Sequence, residues 1–186
     1  PFETWDMLGV KETVQEMKKT KQGPAKWVEE MLNSGVKSFY KYDKGKKLYY
    51  DINSKEHKEI PGTKGLIILD AFKATNIVWK NEGTTLYDVG EDVLNLEFHT
   101  KMNTMGAEVI EGINKAISIA EKKYKGLVIG NEGDNFSAGA NLGMLFMFAG
   151  NREYDKINLS VKAFQNTIMR ARYSSVPVVV ATSGLT

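Results

Sequence analysis

Apolar residues recur at helical spacing in some parts of the chain and as alternating or short continuous runs in others. Val10, Val14 and Met17 fall at i, i+4 and i+7, and Trp27, Val28, Met31 and Leu32 make a second stripe, so residues 1–35 read as helical. Gly23-Pro24 separates the two helices; Pro24 suits a first turn and Gly35 a C-terminal stop. Two short helices cannot enclose a core alone, and the expectation is that they pack on sequence upstream of Pro1. The pattern then changes. Residues 46–52 (KKLYYDI) alternate like a half-exposed strand, Pro61-Gly62 marks a turn, and residues 66–69 and 77–79 read as further short strands.

Residues 83–186 are the most regular. Residues 86–89 and Val93–Phe98 flank Gly90-Glu91-Asp92 as a hairpin. Val109, Ile110, Ile113, Ala116, Ile117 and Ala120 then form a long helical stripe, with Lys122, Lys123 and Lys125 at its C-terminal end. Gly126–Gly130 reads as a short apolar strand and 141–149 as a very apolar helix. Residues 155–172 read as a helix with Ile157, Val161, Phe164 and Ile168 on one side, and 176–181 as a strand buried on both faces. The predicted order is strand, strand, helix, strand, helix, helix, strand, an α/β layout.

Composition narrows the chemistry. The chain has 186 residues, room for one domain or one and a fraction. Its net charge of +2 is too small to indicate a nucleic-acid binder, and the lysines at 41, 44, 46, 47, 55 and 58 are diluted by Asp43, Asp51, Glu56 and Glu59 into a solvated surface. A basic nucleic-acid face there is a weaker alternative, marked by binding that falls steeply with salt. The absence of cysteine excludes disulfides, thiolate metal sites and cysteine nucleophiles, and His57 and His99 cannot supply a three-histidine metal site. No apolar run approaches the roughly 18 residues of a membrane span. Pro1 heads a stretch with no basic leader, and the first methionine is Met7, so the chain is expected to be a segment of a longer protein.

The most informative stretch is 127–142, LVIGNEGDNFSAGANL. A buried strand ends, a polar Gly-rich turn follows, and Ser137, Ala138, Gly139 and Ala140 open a helix. Small side chains let a ligand approach the backbone, and the first amides of a helix lack internal partners and carry the positive end of its dipole. That combination suits an oxyanion or a polarised carbonyl. A tight strand-to-helix turn accounts for the same spacing, and spacing alone leaves both readings open. Ser137 lacks the glycine two residues before it that a nucleophile elbow needs, and Gly130, Gly133 and Gly139 do not match a dinucleotide fingerprint.

Residues 136–142 (FSAGANL), following 127–130, resemble the first oxyanion-hole segment of the crotonase superfamily, the enoyl-CoA hydratases and isomerases. Residues 93–98 with Lys101-Met102-Asn103 look like that family's opening strand and helix start, and 175–181 with Gly184 like the strand leading to its second oxyanion segment. The first ten residues, PFETWDMLGV, are similar to a motif near the end of the C-terminal helical domain of 3-hydroxyacyl-CoA dehydrogenases. Together they resemble the fused bacterial dehydrogenase/enoyl-CoA hydratase-isomerase proteins of fatty-acid β-oxidation.

The resemblance implies an α/β, crotonase-like (ββα spiral) N-terminal half at 83–186. It also implies a connector with short strands at 36–82 and the end of a dehydrogenase helical domain at 1–35. It further implies a cytoplasmic, homo-oligomeric parent acting on coenzyme A thioesters, with NAD serving a dehydrogenase unit whose binding domain lies outside this chain. Ala140 is expected to offer its backbone N–H to the thioester oxygen, and Lys101, Met102, Ala138, Gly139, Asn141 and Leu142 to contact substrate or CoA. Lys101 reads equally well as a solvated turn lysine. Asn141 stands where the family often has aspartate, which removes a charge. The second oxyanion glycine and the acid/base glutamates are expected beyond Thr186, and the segment alone is expected to be inactive. The alternative is a structural or oligomerisation module that binds acyl-CoA without catalysis.

The other titratable residues read as structural. His99 is a surface or structural histidine near the presumed site, and His57 a solvated loop residue. Glu108 and Glu111 lie on the polar side of a helix, and Glu132 and Asp134 form a turn. Met102, Met105, Met144 and Met147 read as core filler or an acyl-chain wall.

Overall fold

The computed structural model describes residues 1–43, 45–73 and 76–184; Lys44, one of the basic-face lysines, and Leu185-Thr186 lie outside them. The contacts divide the chain into two units, Pro1–Ala71 and Phe72–Thr186. The first unit carries α1 (Phe2–Leu8), α2 (Val10–Lys19) and α3 (Lys26–Asn33), followed by an antiparallel sheet in the order β1 (Tyr40–Asp43), β2 (Lys46–Asp51), β3 (Glu56–Glu59). Gly9, at φ 89°, breaks the first helical stretch in two, a conformation glycine adopts without strain.

The helices close on the chain that follows them. Val10, Val14, Val28 and Met31 share a core with Phe39 and Tyr50. The Asp6 carboxylate ties α1 to β1 by accepting the Phe39 and Tyr40 N–H groups at 2.7 and 2.8 Å. Residues 66–69 do not form the expected strand. The Leu66 N–H donates to the Thr63 carbonyl within a turn, the Ile68 N–H donates to the Gly45 carbonyl between β1 and β2, and Leu69–Ala71 is a 3₁₀ turn. His57 sits in β3, half-buried, where its Nε2–H donates to the Ser38 carbonyl at 3.1 Å. Four of the lysines on the expected basic face are ion-paired: Lys46 with Glu59, Lys47 with Glu3, Lys55 with Glu30 and Lys58 with Asp51.

In the second unit β4 (Ile77–Lys80), β5 (Thr84–Gly90), β6 (Val93–Phe98), β7 (Gly126–Gly130) and β8 (Val178–Ala181) form one sheet in chain order. The residues of β4, placed with the connector from the sequence, pair with β5. The first three strands are antiparallel and the last three parallel. Glu91 and Asp92, both at positive φ, make a two-residue hairpin turn of the primed type, whose twist matches that of the strands. Parallel pairing needs a crossover, and α4 (Ala107–Lys123) supplies it between β6 and β7. Its stripe of Val109, Ile113, Ala116, Ile117 and Ala120 packs on Leu86, Leu94, Leu96, Phe98, Leu127 and Ile129. Gly112 lets α4 approach β5, since a Cβ there would lie 2.2 Å from Thr84 Oγ1.

Beyond β7 lie α5 (Leu142–Gly150) and α6 (Tyr154–Arg172). The expected α6 stripe is only partly covered, with Val161 and Ile168 45% and 47% exposed. The contact with α4 is instead a polar seam: Asn114 Nδ2 donates to Thr167 Oγ1 at 2.6 Å, and Arg170 to Ser118 Oγ at 2.8 Å. Strand β8 is not buried on both faces: Val179 is 57% exposed, and among the described residues β8 is the sheet's edge.

Gly112→Ala is expected to lower stability by about 1–3 kcal/mol through overpacking against Thr84, read by urea denaturation with an unchanged m-value. In the first unit, the Lys58 ammonium and then the Ser54 hydroxyl hold the Asp51 carboxyl down to about 2 from its ordinary 3.8. A depressed carboxyl stabilises the fold above its unfolded value, and that contribution is lost as pH falls through the folded one. An NMR titration should therefore find the Asp51 midpoint near 2, moving toward the ordinary carboxylate range in Lys58→Met.

Candidate active site

The site is built where β6 and β7 end, on the side of a parallel sheet where α/β folds commonly bind ligands. Asn131, the residue after β7, clamps the turn that follows. Its Oδ1 accepts the Phe98 N–H and its Nδ2 donates to the Phe136 carbonyl, both at 2.6 Å. The Phe136 N–H donates to the Ser183 carbonyl at 2.8 Å, and its ring meets Phe98 at 5.7 Å between centroids. Asn95 Nδ2 donates to the Gly130 carbonyl at 3.0 Å. Turn 131–136 is thereby fastened at both ends to neighbouring segments.

Across from it, Lys101–Asn103 forms a 3₁₀ turn in which Met102 and Asn103 hold φ of 56° and 52°. Left-handed conformations cost non-glycine residues about 1–2 kcal/mol each. Bonds from the 135–138 segment hold these two there. The Ala138 N–H donates to the Met102 carbonyl at 3.1 Å, Ser137 Oγ to the Asn103 carbonyl at 2.7 Å, and Asn103 Nδ2 to the Asn135 carbonyl at 3.1 Å. Ser137 is 2% exposed and also accepts the Gly139 N–H at 3.0 Å.

Met105 and Ala140 then meet in a single-residue parallel bridge. Met105 makes both of its bonds: its N–H donates to the Gly139 carbonyl at 2.9 Å, and its carbonyl accepts the Asn141 N–H at 3.4 Å. In a parallel bridge the residue opposite points its own N–H and carbonyl the other way. The amides of Ala138, Gly139 and Asn141 are therefore engaged, while that of Ala140 meets no acceptor among the described residues. Gly139, at φ 86°, supplies the reversal that turns the next amide outward.

Ala140 and Asn141 border a cavity of about 310 Å³, walled by Met105 and Ile110 on one side, Met144 and Leu145 of α5 on another, and Val161 and Phe164 of α6 on a third. The lining is largely apolar. Asn141 Oδ1 accepts the Met144 N–H at 3.4 Å as the cap of α5, so the neutral side chain at this position does helix-capping work.

The residues singled out from the sequence divide into two groups. Met102, Ala138, Gly139, Ala140 and Asn141 come together through the bonds above. Lys101 lies exposed on the same turn, and Leu142 is 71% exposed and outside the cavity wall. His99 is hydrogen-bonded to Thr85 Oγ1 at 2.8 Å. Asn131, the buried Ser137 hydroxyl and the α6 wall have no local signal, because each acts on a partner distant in sequence. Glu97, 5% exposed on β6, is a further residue that strand periodicity does not mark; it accepts from Tyr87 Oη at 3.1 Å and pairs with Lys73 at 3.6 Å. Burial, followed by the Glu97 charge, pushes the Tyr87 phenol up. Among the described residues no group of three or more His, Asp or Glu is placed to hold a metal, and no helix is long and apolar enough to cross a membrane.

No family model matches the chain. It is 39% identical over its full length to a probable 3-hydroxyacyl-CoA dehydrogenase of Bacillus subtilis, of which it covers 23%. It is 29% identical over 72% of its length to a putative fatty acid oxidation complex trifunctional enzyme of Rickettsia felis, covering 18% of that protein. The chain thus spans less than a quarter of the length of these relatives. An enoyl-CoA hydratase structure from Shewanella pealeana superposes on 55% of the chain with a TM-score of 0.50 and 15% identity, covering 40% of that chain; it shares the fold.

Hydrogen exchange followed by NMR should find the Ala140 amide close to its unprotected rate and those of Ala138 and Met105 protected. Ser137→Ala removes two bonds from a buried site and should cost about 1–3 kcal/mol of stability, with protection at Gly139 falling first.

Proposed function

We propose that the chain is a piece of a crotonase-superfamily protein fused to a 3-hydroxyacyl-CoA dehydrogenase, and that it carries one half of a thioester oxyanion hole in a fatty-acid β-oxidation enzyme. The observation that carries this reading is the Ala140 N–H, which has no acceptor among the described residues, at the edge of an apolar cavity. A fatty acyl-CoA thioester sets its carbonyl oxygen against that N–H while the acyl chain lies in the cavity. Negative charge grows on the oxygen as an enolate forms or as water adds to the double bond. A donor already fixed in place stabilises that charge without reorganising at the moment of reaction. The hydrogen bonds around Ser137, Gly139 and Met105 are what fix it.

In this reading residues 1–35 close the dehydrogenase's helical domain, 36–82 connect, and 83–186 open the crotonase-like half. The second oxyanion amide and the glutamates that move protons and activate water come from sequence after Thr186. NAD serves the dehydrogenase unit elsewhere in a cytoplasmic parent, and Lys101, on the exposed turn, faces the CoA phosphates. The 186-residue chain by itself binds thioester without turning it over.

A second reading, an assembly module, draws support from α5, where Leu142, Phe146 and Met147 are 71%, 82% and 54% exposed. A concentration-dependent mass for the chain, with acyl-CoA bound but kcat of the full-length protein unmoved by loss of the Ala140 N–H, would favour it over the first.

Replacing the Ala140 amide by an ester in the full-length protein exchanges the N–H donor for an oxygen, and it also weakens the Gly139 carbonyl that accepts the Met105 N–H. The expected result is a fall in kcat for crotonyl-CoA hydration of about 10²–10³-fold, the usual effect of losing one oxyanion donor. An unchanged kcat would sink the assignment. Hydration of crotonyl-CoA by the 186-residue chain alone is expected to be undetectable.

A further inference from the structure

The cavity beside Ala140 holds more information than its position. Its volume is about 310 Å³. Protein cavities of about 150 Å³ hold benzene, so this one holds roughly twice that amount of hydrocarbon, about eight to twelve carbons once its mouth is allowed for. No charged side chain lines it. Of the two polar side chains in its wall, Asn141 Oδ1 caps α5, and Ser160 Oγ donates to the Lys156 carbonyl at 2.8 Å. A charged tail therefore finds no counter-charge there, and its desolvation is not compensated. Met105 and Met144 are unbranched and adapt to a flexible chain. Helix α6 contributes small Ala163 beside bulky Phe164 to the wall.

We infer that this cavity selects an unbranched, wholly apolar acyl chain of medium length, and that Ala163 and Phe164 set its limit. The inference rests on the proposed reading of Ala140, which places the thioester at the cavity's edge. Each methylene that leaves water for the cavity tightens binding by about fourfold, until the cavity is full. Affinity therefore climbs with chain length and then levels off. Ala163→Phe fills part of the space and lowers the limit; Phe164→Ala opens space and raises it.

The test is calorimetric titration of the chain with butanoyl-, decanoyl- and hexadecanoyl-CoA at concentrations below micelle formation, with free coenzyme A as reference. Decanoyl-CoA should bind at least 100-fold more tightly than butanoyl-CoA, and hexadecanoyl-CoA no more tightly than decanoyl-CoA. In Ala163→Phe the decanoyl-to-butanoyl ratio should fall at least tenfold, and in Phe164→Ala hexadecanoyl-CoA should overtake decanoyl-CoA. Equal affinity for all three thioesters, or ratios unmoved by both variants, overturns the length assignment and leaves the Ala140 reading standing. Failure of every thioester to bind more tightly than free coenzyme A overturns both.

Discussion

The single bridge between Met105 and Ala140 is the constraint on which the site depends. It is one residue long and therefore adds little to stability. Its consequence is directional: by engaging the groups on either side of Ala140, it leaves that one N–H facing away from its partner strand. A longer ladder would have extended the sheet and consumed the donor. A looser loop would have left the amide to water and to many conformations. Pre-organisation of a donor needs an arrangement between these extremes, and the chain reaches it by stopping the pairing after one residue.

The bridge persists because both of its strands are anchored elsewhere. On one side, the turn at Met102 and Asn103 accepts an unfavourable backbone conformation, and the bonds from Ala138, Ser137 and Asn103 compensate for it. On the other, Asn131 is bonded to both Phe98 and Phe136, which sets where the second segment starts. Behind both lies the layer of α4 on β5, β6 and β7, whose side chains are nearly all buried. Close packing of this kind transmits position with little give, so displacement of α4 shifts Met105, two residues upstream of its first turn. The strained turn, the buried hydroxyl and the free amide act together, with the core as their common support.

Much of this was legible from residue order. The α4 stripe, the hairpin at Glu91-Asp92 and the strand at Gly126–Gly130 follow from periodicity and turn chemistry. Small residues at 137–140 mark the segment on which the candidate site is built. Expectations failed where burial depended on what lies alongside. Residues 176–181 are apolar enough for a central strand, yet β8 is an edge among the described residues. The apolar run at 66–69 makes no ladder, because the Leu66 amide closes a turn on Thr63 and the Ile68 amide bonds Gly45, 23 positions away. The α6 stripe is half-covered because Thr167 and Arg170, polar in any sequence reading, make the contact with α4.

By itself the sequence determined the elements and the location of the candidate chemistry, because hydrophobic spacing, turn residues and small side chains act over a few positions. Only the tertiary structure decided which amide near Ala140 stays free, which helices wall the cavity and how much room they leave. Those outcomes hang on contacts between residues more than thirty positions apart, such as Ser137 with Asn103 and Asn114 with Thr167. Nothing in the local order of the chain records where such partners meet.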